Sequence, residues 1–325
     1  MTATPSSTVE IPPSDPAALA EVLGRSAAML QVLRAARRIA ASGAPVLLRG
    51  EPGTGRELLA RGLHSASGRG AGPFVVVNCA ALPERLLEQE LFGGAAPTAA
   101  SAPAALLAQA RGGTLYLHEI MGAGPGVSAR ILRVLVEGAL RAGGGAEPVD
   151  VRVMGSTRED LHALSREGRV AEELATRLDV LTLRLPPLRE RPEDIPLLAE
   201  HFAAKHGRPG AAIAPAALEL LRAYRWPDNV RELEYAVARA LALTSGALVL
   251  PQNLPSAIQA DARPAVTGRP GDRPTLHEVE RRYAEEILRE TGGNKSRTAE
   301  VLGIDRKTLY RLLGLHTAAD RGGGR

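Results

Sequence analysis

The stretch Leu48 to Leu59, LRGEPGTGRELL, sets Gly50, Gly53 and Gly55 between an apolar run and the start of an amphipathic one. Glycines so placed let the backbone curl until consecutive N–H groups face one point, and a helix opening behind them adds the positive end of its dipole. Such a curl suits phosphate when a cation closes it, and Arg56 stands where the phosphate-loop pattern has lysine. Thr54 and Glu57 flank the turn and the cation. Taken alone, the loop fits equally well a glycine-rich turn that holds nothing. A second chemistry lies near the other end, in GGNKSRTAEVLGIDRKTLYRLL. Two short amphipathic stretches meet there at Gly303, and the second carries Arg306, Lys307 and Arg311. That is the pattern of a helix-turn-helix whose second helix enters the DNA major groove. Spacing alone also admits a helical dimerisation bundle with solvated cations.

The elements that must position these groups follow from hydrophobic periodicity. A helix is predicted from Met29 to Ile39, then buried strands at Pro45 to Leu48, Phe74 to Val77, Thr114 to Leu117, Val151 to Met154 and Val180 to Leu185, with helical patterns between them. Alternation of this kind predicts an α/β fold with a mostly parallel sheet covered on both faces. After PPLRERPE the pattern turns helical only, up to about residue 245, which reads as a lid. Residues 251–274 carry five prolines and read as a linker. Thr275 caps a helix whose apolar stripe is Leu276, Val279, Tyr283, Ile287 and Leu288, and Gly292 and Gly293 stop it. The expected organisation is a disordered segment over 1–20, an α/β nucleotide-binding domain over 21–190, a lid over 191–250, the linker, an all-α helix-turn-helix over 275–315 and a tail over 316–325.

Composition narrows the classes. Forty basic and 36 acidic residues leave a net charge of +4, so any contact with nucleic acid must come from a local patch. Only Lys205, Lys295 and Lys307 are lysines; the other 37 basic residues are arginines. Cys79 is the single cysteine and can form no intramolecular disulfide. The first residues lack the basic start and apolar run of a leader, and no long uncharged apolar stretch follows. A soluble cytoplasmic protein, without membrane contact, is expected. No receiver or ligand-sensing segment precedes residue 20, so control is expected through expression, a separate partner or the nucleotide domain itself.

Over about residues 23–250 the chain closely resembles the AAA+ activators of sigma-54 RNA polymerase, the NtrC-like enhancer-binding proteins. The resemblance rests on LGRSAAMLQVL, VLLRGEPGTGRELLARGLH, FVVVNCAALPERLLEQELFG, ARGGTLYLHEI, ILRVLVEGALR, LRLPPLRERPEDIPLLAEHF and WPDNVRELE, in that order. It implies that Gly50 to Glu57 form the Walker A loop for ATP or ADP and that Glu119 is the Walker B glutamate acting on the attacking water. It also implies that Arg177 reaches a neighbour's site as an arginine finger and that Arg231 senses the γ-phosphate from the lid. The C-terminal segment resembles the Fis-type helix-turn-helix. This implies double-stranded DNA as partner and pairing of two copies through their first helices, with half-sites about one helical turn apart. Asn294, Lys295, Ser296 and Arg297 are then expected on phosphates. Arg306, Lys307, Thr308, Tyr310 and Arg311 line the outward faces of the next helix, the cations divided between phosphate and base edges.

Several positions depart from the family's pattern. Arg56 keeps the charge of the Walker A lysine but swaps a compact ammonium for a planar fork. His118 replaces the Walker B aspartate, and imidazole is a poor ligand for Mg²⁺, whose part here is left open. Ala171 stands for the first intersubunit arginine and Arg158 for the sensor asparagine. The loop that touches sigma-54 in the family carries glycine, phenylalanine and threonine, whereas Gly94 to Ala105 reads GAAPTAASAPAA, with no aromatic. His64, His118 and Glu119 show no metal-ligand spacing, and no metal site is assigned. The expectation is a DNA-binding regulator, homo-oligomeric as a dimer or AAA+ ring, impaired in ATP hydrolysis and sigma-54 contact. The alternatives are a functional ATP-driven activator of sigma-54 polymerase holoenzyme, and a partner that caps rings of an intact relative.

Overall fold

The computed structural model describes residues 19–93, 105–142, 145–207, 209–244, 246–261 and 275–313. They fall into two compact units, one ending at Gln259 and one beginning at Ala260. The expected N-terminal disorder up to residue 18, the altered loop over 94–104 and the tail from 314 onward lie outside the described residues.

In the first unit, α1 (Ala27–Ala40) leads to β1 (Val46–Arg49), α2 (Arg56–Ser65), β2 (Phe74–Asn78), α3 (Glu84–Phe92), α4 (Leu106–Gln109) and β3 (Thr114–His118). Next come α5 (Gly124–Glu137), a hairpin of β4 (Ala139–Ala142) and β5 (Gly145–Pro148), β6 (Arg152–Thr157), α6 (Leu161–Arg166), α7 (Glu172–Leu178) and β7 (Thr182–Arg184). The main sheet has the order β2-β3-β6-β1-β7, and its pairings are all parallel. β1, β2, β3 and β6 are predominantly buried, which is why they read as continuous apolar runs. One face packs Leu47, Leu115, Leu117 and Val153 on α3, α5 and α7; the other packs Val46, Leu48, Tyr116 and Met154 on α1 and α2. The five predicted strands are all present, each shifted at its ends by up to three residues. The β4–β5 hairpin had no signal among the glycines around it.

The lid is not purely helical, contrary to the reading from periodicity. Between α8 (Ile195–His206), α9 (Pro215–Ala223) and α10 (Asn229–Ala242), two-residue strands β8 (Ala212–Ile213) and β9 (Leu248–Val249) pair in parallel. The linker also starts later than expected. A 3-10 turn at Pro251–Asn253 and α11 (Ser256–Asp261) follow β9, and Leu254 and Ile258 are buried in the lid core with Trp226 and Leu233. Pro251 opens its turn at the first position, where a missing N–H costs nothing. Residues 262–274 lie outside the described residues.

The second unit holds α12 (Leu276–Glu290), α13 (Lys295–Leu302) and α14 (Arg306–Leu312) around Ala284, Ala299 and Leu309.

Candidate functional site

The loop between β1 and α2 takes its shape from two glycines at positive φ, Gly53 at +72° and Gly55 at +98°. A Cβ on Gly53 would lie 2.1 Å from the Asp228 carbonyl oxygen, so this position is closed to any side chain. The buried Thr54 hydroxyl donates to the Glu51 carbonyl at 2.8 Å and braces the turn from inside. Gly55 caps α2 without a side chain, so the first-turn amides of α2 have no acceptor within their own helix. Gly50 passes the end of β7, where a Cβ would meet the Leu185 carbonyl at 3.0 Å.

Arg56, expected on phosphate, is engaged by a carboxylate in this structure. Its guanidinium is buried, at 4 % exposure, and Nη2 donates to Glu119 Oε1 at 2.5 Å. Nη1 is buried with no partner. Glu119 follows β3 in the left-handed region at φ +51°, its N–H held by Ser156 Oγ at 3.2 Å. Its second oxygen lies 3.9 Å from Arg158 Nε. The cation expected on phosphate and the carboxylate expected on water are therefore joined to each other. In a low-dielectric setting, a hydrogen-bonded pair of this kind is held firmly, because opening it leaves a buried charge unmatched.

His118 ends β3, half-buried, with Nδ1 enclosed and unpartnered. Burial, and then the nearby Arg56, push its pKa below the ordinary imidazole value, so the ring is neutral near pH 7. His64 is fully committed elsewhere, with Nδ1 2.9 Å from Thr114 Oγ1 and Nε2 3.2 Å from the Gly72 carbonyl. Among the described residues, no cluster of histidine, cysteine and carboxylates has a metal-binding arrangement. The glycine-rich segment after Glu119 begins α5, and the acid that caps it comes from α3. Glu84 Oε1 accepts from the amide of Gly126 at 2.6 Å.

The lid grips the loop through three successive carbonyls, a feature the sequence reading missed. Asn229 Nδ2 donates to the Pro52 carbonyl at 2.9 Å, the Val230 amide to Gly53 at 3.0 Å and Arg191 Nη2 to Thr54 at 3.1 Å. Asn229 and Arg191 are themselves buried. Asn229 sits at φ +52° and takes the Leu188 amide on Oδ1 at 2.7 Å. Beside Arg191, Asp194 accepts from the amides of Arg25 and Ser26 and from the Ser26 hydroxyl, which fixes the start of α1. The available signal was a set of polar residues inside PPLRERPED and WPDNV, short segments with no room for solvated loops. Arg231 is exposed on α10, its guanidinium 3.3 Å from Asp228. Arg177 is exposed in the last turn of α7.

In the second unit each helix start is capped by a side chain, at Thr275 as expected. Thr275 and Glu278 form a reciprocal box on α12, Asn294 Oδ1 takes the Arg297 amide at 3.1 Å and Asp305 Oδ1 takes the Thr308 amide at 2.8 Å. Thr308 also donates its hydroxyl to Asp305, so that group serves the cap. Ser296, Arg297, Arg306, Lys307 and Arg311 are exposed. Lys295 Nζ stands 5.1 Å over the Tyr310 ring, joining α13 to α14. The apolar stripe of α12 divides: Ile287 is buried, as is Ala284 outside the stripe, whereas Leu276 and Tyr283 remain at 75 % and 56 % exposure.

Residues 22–184 match the Sigma-54 interaction domain, 189–269 the AAA+ ATPase lid domain and 275–313 the bacterial regulatory protein, Fis family. The chain is 41 % identical over 307 residues to the regulatory protein AtoC of Escherichia coli K12, covering 90 % of this chain and 67 % of AtoC. It is 42 % identical over 310 residues to the transcriptional regulatory protein ZraR of Salmonella typhimurium, covering 93 % and 70 %. Among solved structures, NtrX from Brucella abortus in complex with ATP is similar at a TM-score of 0.70 and 35 % identity, over 90 % of this chain and 68 % of NtrX. NtrX has also been solved with ADP, at the same similarity. RuvB of Thermotoga maritima, at 16 % identity and a TM-score of 0.53 over 92 % of this chain and 87 % of RuvB, shares the fold alone. With the AAA+ sheet, its lid and a Fis-type helix-turn-helix in one chain, this protein belongs to the sigma-54-dependent transcriptional regulators.

Proposed function

We propose that this regulator binds ATP or ADP at the loop Gly50 to Glu57 but turns ATP over weakly or not at all, and acts through DNA binding and assembly. The observation that carries this reading is the 2.5 Å pair between Arg56 and Glu119. Phosphoryl transfer needs the cation on phosphate and the carboxylate on water at the same moment. A buried pair satisfies each with the other. The loop's amides and the lid's hold on its carbonyls support retention of nucleotide, as do the ATP and ADP complexes of NtrX. The test is phosphate release by the full chain beside that of Arg56→Lys, whose shorter reach frees Glu119. Wild-type release at background is expected, with a gain when Arg56→Lys is combined with His118→Asp, which supplies the oxygen donor that Mg²⁺ needs.

On DNA, Asn294, Lys295, Ser296 and Arg297 hold phosphates, while Arg306, Lys307 and Arg311 divide between phosphates and base edges. Two copies pair through α12, where Leu276 and Tyr283 are exposed, and present two half-sites to double-stranded DNA. Assembly into an AAA+ ring would use the exposed Arg177 as the finger, with Arg231 reading the γ-phosphate from the lid. Contact with sigma-54 is weakened by the absence of an aromatic in Gly94 to Ala105. A cytoplasmic location fits this role, and no described helix is long and apolar enough to cross a membrane.

The second reading is a functional ATP-driven activator of sigma-54 polymerase. Exposed Arg177 and the intact lid grip favour it. Robust wild-type phosphate release, lost in Glu119→Gln, would establish it and end the first reading.

A further inference from the structure

A phosphate loop normally shares its ligand with Mg²⁺, a hard cation that wants near-octahedral oxygen donors and takes one or two carboxylates beside the phosphates. The residues here do not fit that ion. At the end of β3 the side chain is the imidazole of His118, a nitrogen donor of the wrong kind. The carboxylates around the loop are committed to arginines. Glu51 is held by both terminal nitrogens of Arg189 at 2.6 and 2.7 Å, Glu57 by Arg61 at 2.6 Å and Glu119 by Arg56 at 2.5 Å.

Positive charge, by contrast, is in surplus. The first-turn amides of α2 are open, Arg56 keeps a buried and unpartnered Nη1, and Arg158 Nε stands 3.9 Å from Glu119, adding a second guanidinium to the one carboxylate that Arg56 already pairs. A carboxylate beside a polyphosphate repels it, and Mg²⁺ normally screens that repulsion. A neutral imidazole in its place removes the repulsion along with the ligand.

We infer that this chain holds the polyphosphate of a nucleotide without a divalent metal, with Arg56 and the opening amides of α2 carrying the charge that Mg²⁺ would otherwise neutralise. The inference rests on the proposed nucleotide binding at this loop and specifies its chemistry. It makes His118 the residue that sets metal dependence: an aspartate there restores both the oxygen donor and the repulsion.

The experiment is a fluorescence titration of the full chain with N-methylanthraniloyl-ADP, in EDTA and in excess MgCl₂ at constant ionic strength. The dissociation constants are expected to agree within about threefold. His118→Asp, with folding checked by circular dichroism, is expected to bind more tightly in Mg²⁺ than in EDTA by about tenfold or more. Tightening of the wild type by Mg²⁺ of about tenfold overturns the inference and leaves the proposed nucleotide binding intact. Absence of binding in both buffers overturns the two together. A folded His118→Asp that binds the probe with no response to Mg²⁺ also contradicts the inference. The wild-type comparison stands by itself should that variant fail to fold.

Discussion

On its lid side the phosphate loop is gripped at the carbonyls of Pro52, Gly53 and Thr54; on its β3 side the cation and the carboxylate grip each other. The first arrangement places a nucleotide cradle against the lid, so occupancy of the loop and position of the lid bear on one another. The second joins to each other the two groups that the proposed reading assigns to the chemistry. On the proposed reading, the mechanical half of an ATPase site is kept while the chemical half is lost. Shape is maintained by backbone and buried amides, which tolerate changes in the reacting side chains.

The largest effect in prospect breaks the lid side. Arg191→Ala removes the donor to Thr54 and leaves Asp194 buried beside no cation, so a loss of about 3–5 kcal/mol in unfolding free energy is expected by chemical denaturation. A loss under about 1 kcal/mol would show that the grip is incidental. Next, on the β3 side, Glu119→Gln leaves Arg56 buried without a counter-charge. A destabilisation of about 2–3 kcal/mol is expected in the absence of nucleotide, and added ADP should recover part of it by occupying the guanidinium. No recovery would place the phosphates away from Arg56.

A third change leaves both sides alone. Arg306→Ala with Lys307→Ala should weaken operator binding by about 2–4 kcal/mol, lower its salt dependence by about one to two units of slope and leave nucleotide binding unchanged. Unaltered operator retention would remove α14 from the DNA interface. The smallest effect concerns His64. Burial holds its pKa below the ordinary value, so the folded chain binds fewer protons than the unfolded one just below about pH 6.5. Stability is therefore full above that pH and falls as acidification approaches the folded pKa. Melting temperatures measured between about pH 7.5 and 5.5 should decline, and less steeply in His64→Asn.

Much of the frame was legible because the sheet is buried on both faces: Val46 to Leu48 and Thr114 to Leu117 announce themselves as apolar runs. The cap at Thr275 was legible because a cap is local, its acceptor and donor three residues apart, whereas Asn294, read as a phosphate contact, caps α13 in the same way. β8 and β9 were not, since two-residue strands carry no period, and α11 was hidden among prolines that start turns as readily as they stop helices. The site divided along the same line. Loop residues Gly50 to Glu57 could be named from spacing, but the pairing of Arg56 with Glu119 joins side chains 63 positions apart, and its geometry is set by where β1 and β3 end in the folded sheet. Likewise, Arg191 and Asn229 reach the loop across 137 and 177 positions.

The central claim, that the loop binds nucleotide while its cation and carboxylate are committed to each other, is tested most directly by single-turnover mixing of the full chain with γ-labelled ATP. The account predicts bound ATP recovered intact from wild type and cleaved by Arg56→Lys combined with His118→Asp. Cleavage by the wild type, with none by Glu119→Gln, would contradict it.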